Sequence, residues 1–288
     1  MRILTAAIAG EGVHRSGWPA IVRALTSREN GRGLWLDDFA DGSYSYRAIS
    51  SPRSQPWGGI FHHPVTVESP ITSDQGMCLR NSAHHPHWTV PARAVALTEE
   101  GRNSLSNWLG IPVIALKHGI DRDFPRWRPS GRRDIVQIGS TLRNTRAIFD
   151  FHVPGWTRFY LRGSSPWGMA RDHQLQAFGE DVADLPRLSD QDYDELLSSC
   201  IVFSEYFAVS ASNLILECLV RGTPLIINRL PAIEEYLGPK YPLYRDCLSL
   251  TGACLREARD YLLDRSKILP TVTEFAESVQ HFLDEEPV

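Results

Sequence analysis

Apolar residues at 214, 215, 218 and 219 fall on one face of a helix, within the stretch Ser212-Asn213-Leu214-Ile215-Leu216-Glu217-Cys218-Leu219-Val220-Arg221-Gly222. The polar start and the closing glycine predict a helix with Ser212 or Ser210 as N-cap and Gly222 just past its end. Thr223-Pro224 then leads into Leu225-Ile226-Ile227, which reads as a short buried strand. Helix followed by strand is half of a nucleotide-binding α/β unit. In an open α/β sheet, ligands lie outside the carboxyl ends of the strands, where helix N-termini offer free N–H groups to phosphates. Ser212 and Asn213 would then face a diphosphate, and Glu217, one turn deeper, a ribose diol. The bland alternative pairs Glu217 with Arg221 at i,i+4 on a solvated face, worth a few tenths of a kcal/mol.

The same alternation extends along the chain. The opening segment predicts a strand, a glycine-containing loop and a helix capped by Ser16. Strands follow at 34–39, 44–49 and 59–61, the last ending at His62-His63-Pro64. Residues 93–97 predict a strand, Thr98 caps a helix through Trp108, and Gly110 stops it before a strand at 112–116. Residues 125–133 carry prolines and charges without a periodic apolar face, which suits a linker. The pattern then restarts: a strand at 134–139, a helix through Phe151, a strand at 157–161, a helix at 190–199 capped by Ser189, and a strand at 201–203. Helices at 255–263 and 272–283 end the series. Strand and helix in alternation imply parallel sheets, in two domains, 1–127 and 128–288.

Composition narrows the class. A chain of 288 residues is long enough for two cores. A net charge of −4 gives no global basic field, which argues against broad nucleic-acid binding. Five cysteines without a C-x-x-C pair fit a reducing compartment and structural thiols. No apolar run approaches the roughly 20 residues of a membrane span, and the short apolar opening reads as a first strand, not a signal peptide. A cytoplasmic protein is expected.

With Leu230-Pro231-Ala232-Ile233-Glu234-Glu235-Tyr236-Leu237-Gly238 after it, the opening motif resembles the donor-binding segment of GT-B glycosyltransferases. Thr98-Glu99-Glu100 resembles that family's strand end and following helix, and His118-Gly119-Ile120-Asp121 its interdomain turn, with His in place of Asn. Ile138-Gly139-Ser140, followed by Arg143 and Arg146, resembles the segment that opens the donor domain. The resemblance implies an α/β GT-B fold of two Rossmann-like domains facing a cleft, with the last helix crossing back to the first. It implies a nucleotide-sugar donor as co-substrate, held by Gly139, Ser140, Arg143, Arg146, Ser212 and Asn213, with Glu217 on the ribose. A glycan or small-molecule acceptor would lie against the first domain. The earlier acid of the family's E-x7-E pair would fall at Val209, leaving Glu205 as its only nearby substitute.

Transfer to an acceptor hydroxyl calls for a general base within hydrogen-bond reach. Glu11 and His14, in the first strand-to-helix loop, and His62 and His63, at a strand end, are the candidates, with His62 first because it ends an apolar strand. The histidines of His62-His63-Pro64 and His84-His85-Pro86-His87 also raise a metal site. Without an H-E-x-x-H pattern or paired cysteines, no bound metal or other cofactor is expected. Two other functions share the fold: a nucleotide-sugar epimerase or hydrolase, and a non-catalytic partner subunit.

Overall fold

The computed structural model describes residues 1–5, 17–45, 51–65, 83–161, 181–245 and 250–285. Among these residues, ten strands form two all-parallel five-stranded sheets. The first contains β1 (Arg2–Thr5), β2 (Trp35–Asp37), β3 (Trp57–Phe61), β4 (Arg93–Ala96) and β5 (Val113–Ala115), paired in sequence order. The second contains β6 (Asp134–Ile138), β7 (Thr157–Leu161), β8 (Val182–Leu185), β9 (Ile201–Ser204) and β10 (Leu225–Ile227), in the order β10-β9-β6-β7-β8. The chain therefore leaves β6 toward one edge and returns on its other side. Between β6 and β9 lies a topological switch point, the place where open α/β sheets form their ligand crevice.

The described helices are α1 (Trp18–Thr26), α2 (Ala40–Ser45), α3 (Glu99–Leu109), α4 (Ala147–Asp150), α5 (Asp190–Ser199), α6 (Asn213–Arg221), α7 (Pro231–Leu237), α8 (Gly252–Ser266) and α9 (Val272–Asp284). Thr98 and Ser189 cap α3 and α5 through their hydroxyls, and Gly110 and Gly222 end α3 and α6 in the left-handed conformation. Helix α9 carries a Thr271–Glu274 capping box and lays Phe275, Val279 and Leu283 against Ile21, Leu25, Leu36 and Val95 beside the first sheet. It enters so close to the end of β5 that a Cβ on Gly119 would stand 2.8 Å from that of Phe275 and 2.9 Å from the Thr271 carbonyl.

Four expectations change. Tyr44 and Ser45, expected at the start of a strand, belong to α2, while 46–50 lie outside the described residues. Helix α1 has Gly17 as its N-cap, and Ser16 lies outside the described residues. The helix expected through Phe151 is the single turn of α4. The segment read as a linker is docked: buried Trp127 donates from Nε1 to the Cys200 carbonyl at 2.8 Å and from its backbone to the Arg221 carbonyl at 2.8 Å. An indole finding a hydrogen-bond partner in a core needs no helical periodicity.

Candidate active site

The carboxyl ends of both sheets meet at a cleft of about 280 Å³, which Val209 and Ser210 join to a second lobe of about 260 Å³. On the side of the second sheet, the chain leaves β6 through Gly139 and turns back sharply, with the Arg143 N–H on the Ser140 carbonyl at 3.2 Å. Gly139 has φ +73°, and a Cβ there would press to 3.2 Å against the Arg143 guanidinium, so glycine serves both the backbone and the side chain above it. Leu142 holds the left-handed region at φ 58°, a strained geometry that clusters at functional sites.

That turn delivers Arg143 into the crevice. Its guanidinium lies over the Tyr206 ring at 4.6 Å and reaches the Thr141 carbonyl at 3.1 Å and Ser212 Oγ at 3.3 Å. Tyr206 Oη and Ser212 Oγ share a further hydrogen bond of 2.7 Å. Engaged in this way, the Ser212 side chain does not cap its own helix, and the first-turn amides of α6 have no side-chain cap. Arg143 is only 7% exposed, its Nε lacks a hydrogen-bond partner, and among the described residues it has no carboxylate. A buried cation beside the positive end of a helix, with no counter-charge, is an arrangement that an anion would complete.

Facing it are the ends of the first sheet's strands. His62 stands between Trp18 and Phe39, with ring centroids at 4.1 and 4.3 Å, and its Nε2 meets the Asp38 carbonyl at 3.0 Å. Since a carbonyl only accepts, Nε2 carries the hydrogen. His63 is held differently. Buried Asp41 accepts the backbone N–H of His62 at 3.0 Å and of His63 at 2.9 Å, and also binds His63 Nδ1. Burial alone would raise the Asp41 carboxyl, but the charges and hydrogen bonds of His63 and His62 outweigh it and hold it below its ordinary value. A carboxylate behind Nδ1 makes Nε2 the proton-accepting nitrogen of His63. His118, at the end of β5, completes this wall, with its Nδ1 on the Gly119 carbonyl at 2.6 Å and its backbone N–H on Tyr236 Oη at 3.0 Å.

The other sequence-predicted residues are dispersed. Arg146 is 62% exposed and pairs with Asp150 at 3.8 Å, away from the cleft lining. Glu205 is tied by Asn144 Nδ2 at 2.8 Å and by an ion pair with Arg245. Glu217 is 0% exposed and accepts the Tyr193 hydroxyl at 2.6 Å. The solvated pair with Arg221 is overturned, because Arg221 is itself buried and pairs with Asp194 at 2.5 Å. Asn213 lines the cleft, and Ser140 supports the turn beneath it. Glu11 and His14 lie outside the described residues. No group of three or more potential metal ligands converges among the described residues, and no described helix is long and apolar enough to cross a membrane. Asp41 and His118 were not among the predicted site residues, although His118 replaces an asparagine at a turn the sequence had singled out.

The structure resembles that of sucrose-phosphate synthase from Thermosynechococcus elongatus, with a TM-score of 0.64 at 12% identity over 90% of this chain and 75% of that one. It also resembles OtsA in its apo form, with a TM-score of 0.59 at 12% identity over 93% and 77% of the two chains. S. aureus TarM in complex with fondaparinux, alpha-GlcNAc-glycerol and UDP gives 0.53 at 11% identity, over 91% of this chain but 55% of that one. No protein-family model and no curated protein sequence matches the chain. Identities this low speak for architecture alone. Two parallel sheets with their carboxyl ends on one cleft, together with these likenesses, give the chain a GT-B glycosyltransferase-like fold.

Proposed function

We propose that the chain is a glycosyltransferase that takes a sugar from a nucleotide donor and passes it to a glycan or small-molecule acceptor, without a metal. The observation that carries this is the uncompensated positive site made by Arg143 and the first turn of α6. A diphosphate supplies the missing charge, and charge-assisted hydrogen bonds from the guanidinium and the helix amides stabilise it as a leaving group. That TarM was solved with UDP supports such a ligand in this fold. Across the cleft, His63 receives the proton of the attacking hydroxyl at Nε2 while Asp41 keeps the ring in that tautomer. His62, whose Nε2 donates to a backbone carbonyl, serves as wall. Glu205 and Glu217 have no part in this scheme, since other side chains occupy both carboxylates.

Thermal-shift measurements with UDP, GDP, dTDP, CDP and ADP test the donor site. One base should stand out, because a ligand that binds only the native state adds about 2.7 kcal/mol at a hundredfold excess over Kd. If none stabilises the protein, the non-catalytic partner function gains, which the apolar Val209 in the cleft already favours.

A further inference from the structure

His118 is a buried imidazole, 2% exposed, in the wall opposite the proposed phosphate site. Its orientation is fixed from three sides. The Gly119 carbonyl takes Nδ1 at 2.6 Å, Trp18 and Phe275 flank the ring at 5.5 and 6.2 Å, and Tyr236 holds its backbone N–H. With the hydrogen on Nδ1, the ring presents Nε2 as a lone-pair acceptor. No described group hydrogen-bonds to that nitrogen, yet it is not among the buried atoms sealed without a partner, so it opens on the cleft. The described lining of the lobe that holds Arg143 and His118 contains no Asp or Glu, Glu100 belonging to the second lobe, so hydroxyl donors there are left to uncharged acceptors of this kind.

We propose that His118 Nε2 accepts a hydrogen bond from a hydroxyl of the transferred sugar, so that His118 determines which sugar the site holds. This rests on the donor-site assignment. If Arg143 and the start of α6 hold the diphosphate, the nucleoside lies toward the second sheet and the sugar projects to the opposite wall, where His118 stands. Burial first of all, with the charge of His62 adding to it, lowers the His118 pKa to about 4. The ring therefore stays neutral at physiological pH, able to accept but not to compete with Arg143 for the phosphates.

The test compares the affinity of a nucleoside diphosphate with that of its sugar conjugates, by calorimetry, in the wild type, His118→Asn and His118→Gln. Asn is too short to reach the cleft, whereas the longer Gln amide can still accept. His118→Asn should bind the sugar nucleotide about three- to tenfold more weakly, as for one neutral hydrogen bond, with the diphosphate unchanged; His118→Gln should recover part of the loss. Circular dichroism and a cooperative thermal transition show whether each variant is folded. Equal losses for both ligands in a folded variant, or none for either, would overturn the His118 role alone. A wild type that binds no nucleotide would overturn the donor site, and this role with it.

Discussion

His118 meets solvent so little that its proton equilibrium becomes a stability term. In the unfolded chain it titrates near 6.5, and in the fold near 4, because burial disfavours the imidazolium. Between those values the unfolded state binds the extra proton, so stability falls as pH is lowered through that window. The gap corresponds to roughly 3 kcal/mol, reached as pH approaches 4. Urea denaturation at pH 7 and pH 4.5 should show the wild type losing more stability on acidification than His118→Asn. Parallel losses in the two proteins would contradict the buried neutral ring. Asp41 adds to this at lower pH with the same sign of shift: its lowered carboxyl contributes stability above the unfolded value near 3.8, lost as pH falls through the folded one. Neither residue was legible as functional from the sequence. Asp41 matters because α2 turns it under His62 and His63, a tertiary contact with no local signature.

The packing of α5 on α6 shows where an element can be read correctly and its faces misread. The sequence predicts α6 with the right start and stop, because Ser212, four apolar positions and Gly222 are all local signals. Its bland alternative to a ribose contact places Glu217 and Arg221 on a solvated face, since i,i+4 spacing is blind to a neighbour. Helix α5 covers that face and supplies a partner to each, Tyr193 to Glu217 and Asp194 to Arg221. Glu217→Ala should therefore destabilise the protein by about 1–3 kcal/mol, since it leaves the Tyr193 hydroxyl buried without that acceptor. Urea denaturation measures it, and a change within experimental scatter would mean that the contact contributes nothing. Other misreadings have equally physical causes. Tyr44, Tyr46 and Ala48 alternate with Ser45 and Arg47 and suggest a strand, but the described part of that stretch is the last turn of α2. Strand β8, at a sheet edge and partly exposed, is only the four residues Val182-Ala183-Asp184-Leu185, too short for a period to stand out.

At the scale of the molecule, two sheets and a returning helix bring groups far apart in sequence to one cleft. Tyr236, on α7, donates to the Leu97 carbonyl at 2.7 Å while accepting from the His118 backbone, and the Glu235 carboxylate accepts the Glu99 N–H at the start of α3 at 2.8 Å. These contacts fix the second sheet's helices against the first sheet's strand ends, and so the histidine wall against Arg143. The parallel α/β architecture was legible, because strand and helix periodicities alternate along the chain. The convergence was legible only as a rule about strand carboxyl ends. That rule brings His62, His63 and Arg143 to one cleft, but could not show that Arg146 points to solvent or that Glu205 is bound by Arg245. The central claim is that Arg143 and α6 form a diphosphate site. Calorimetry of a nucleoside diphosphate and of its nucleoside, in wild type and Arg143→Ala, tests it most directly. The substitution should weaken the diphosphate at least tenfold and leave the nucleoside nearly unchanged, in the presence or absence of EDTA, because only the diphosphate presents the charge. Equal losses for the two ligands, or diphosphate binding that EDTA abolishes and a divalent ion restores, would contradict it.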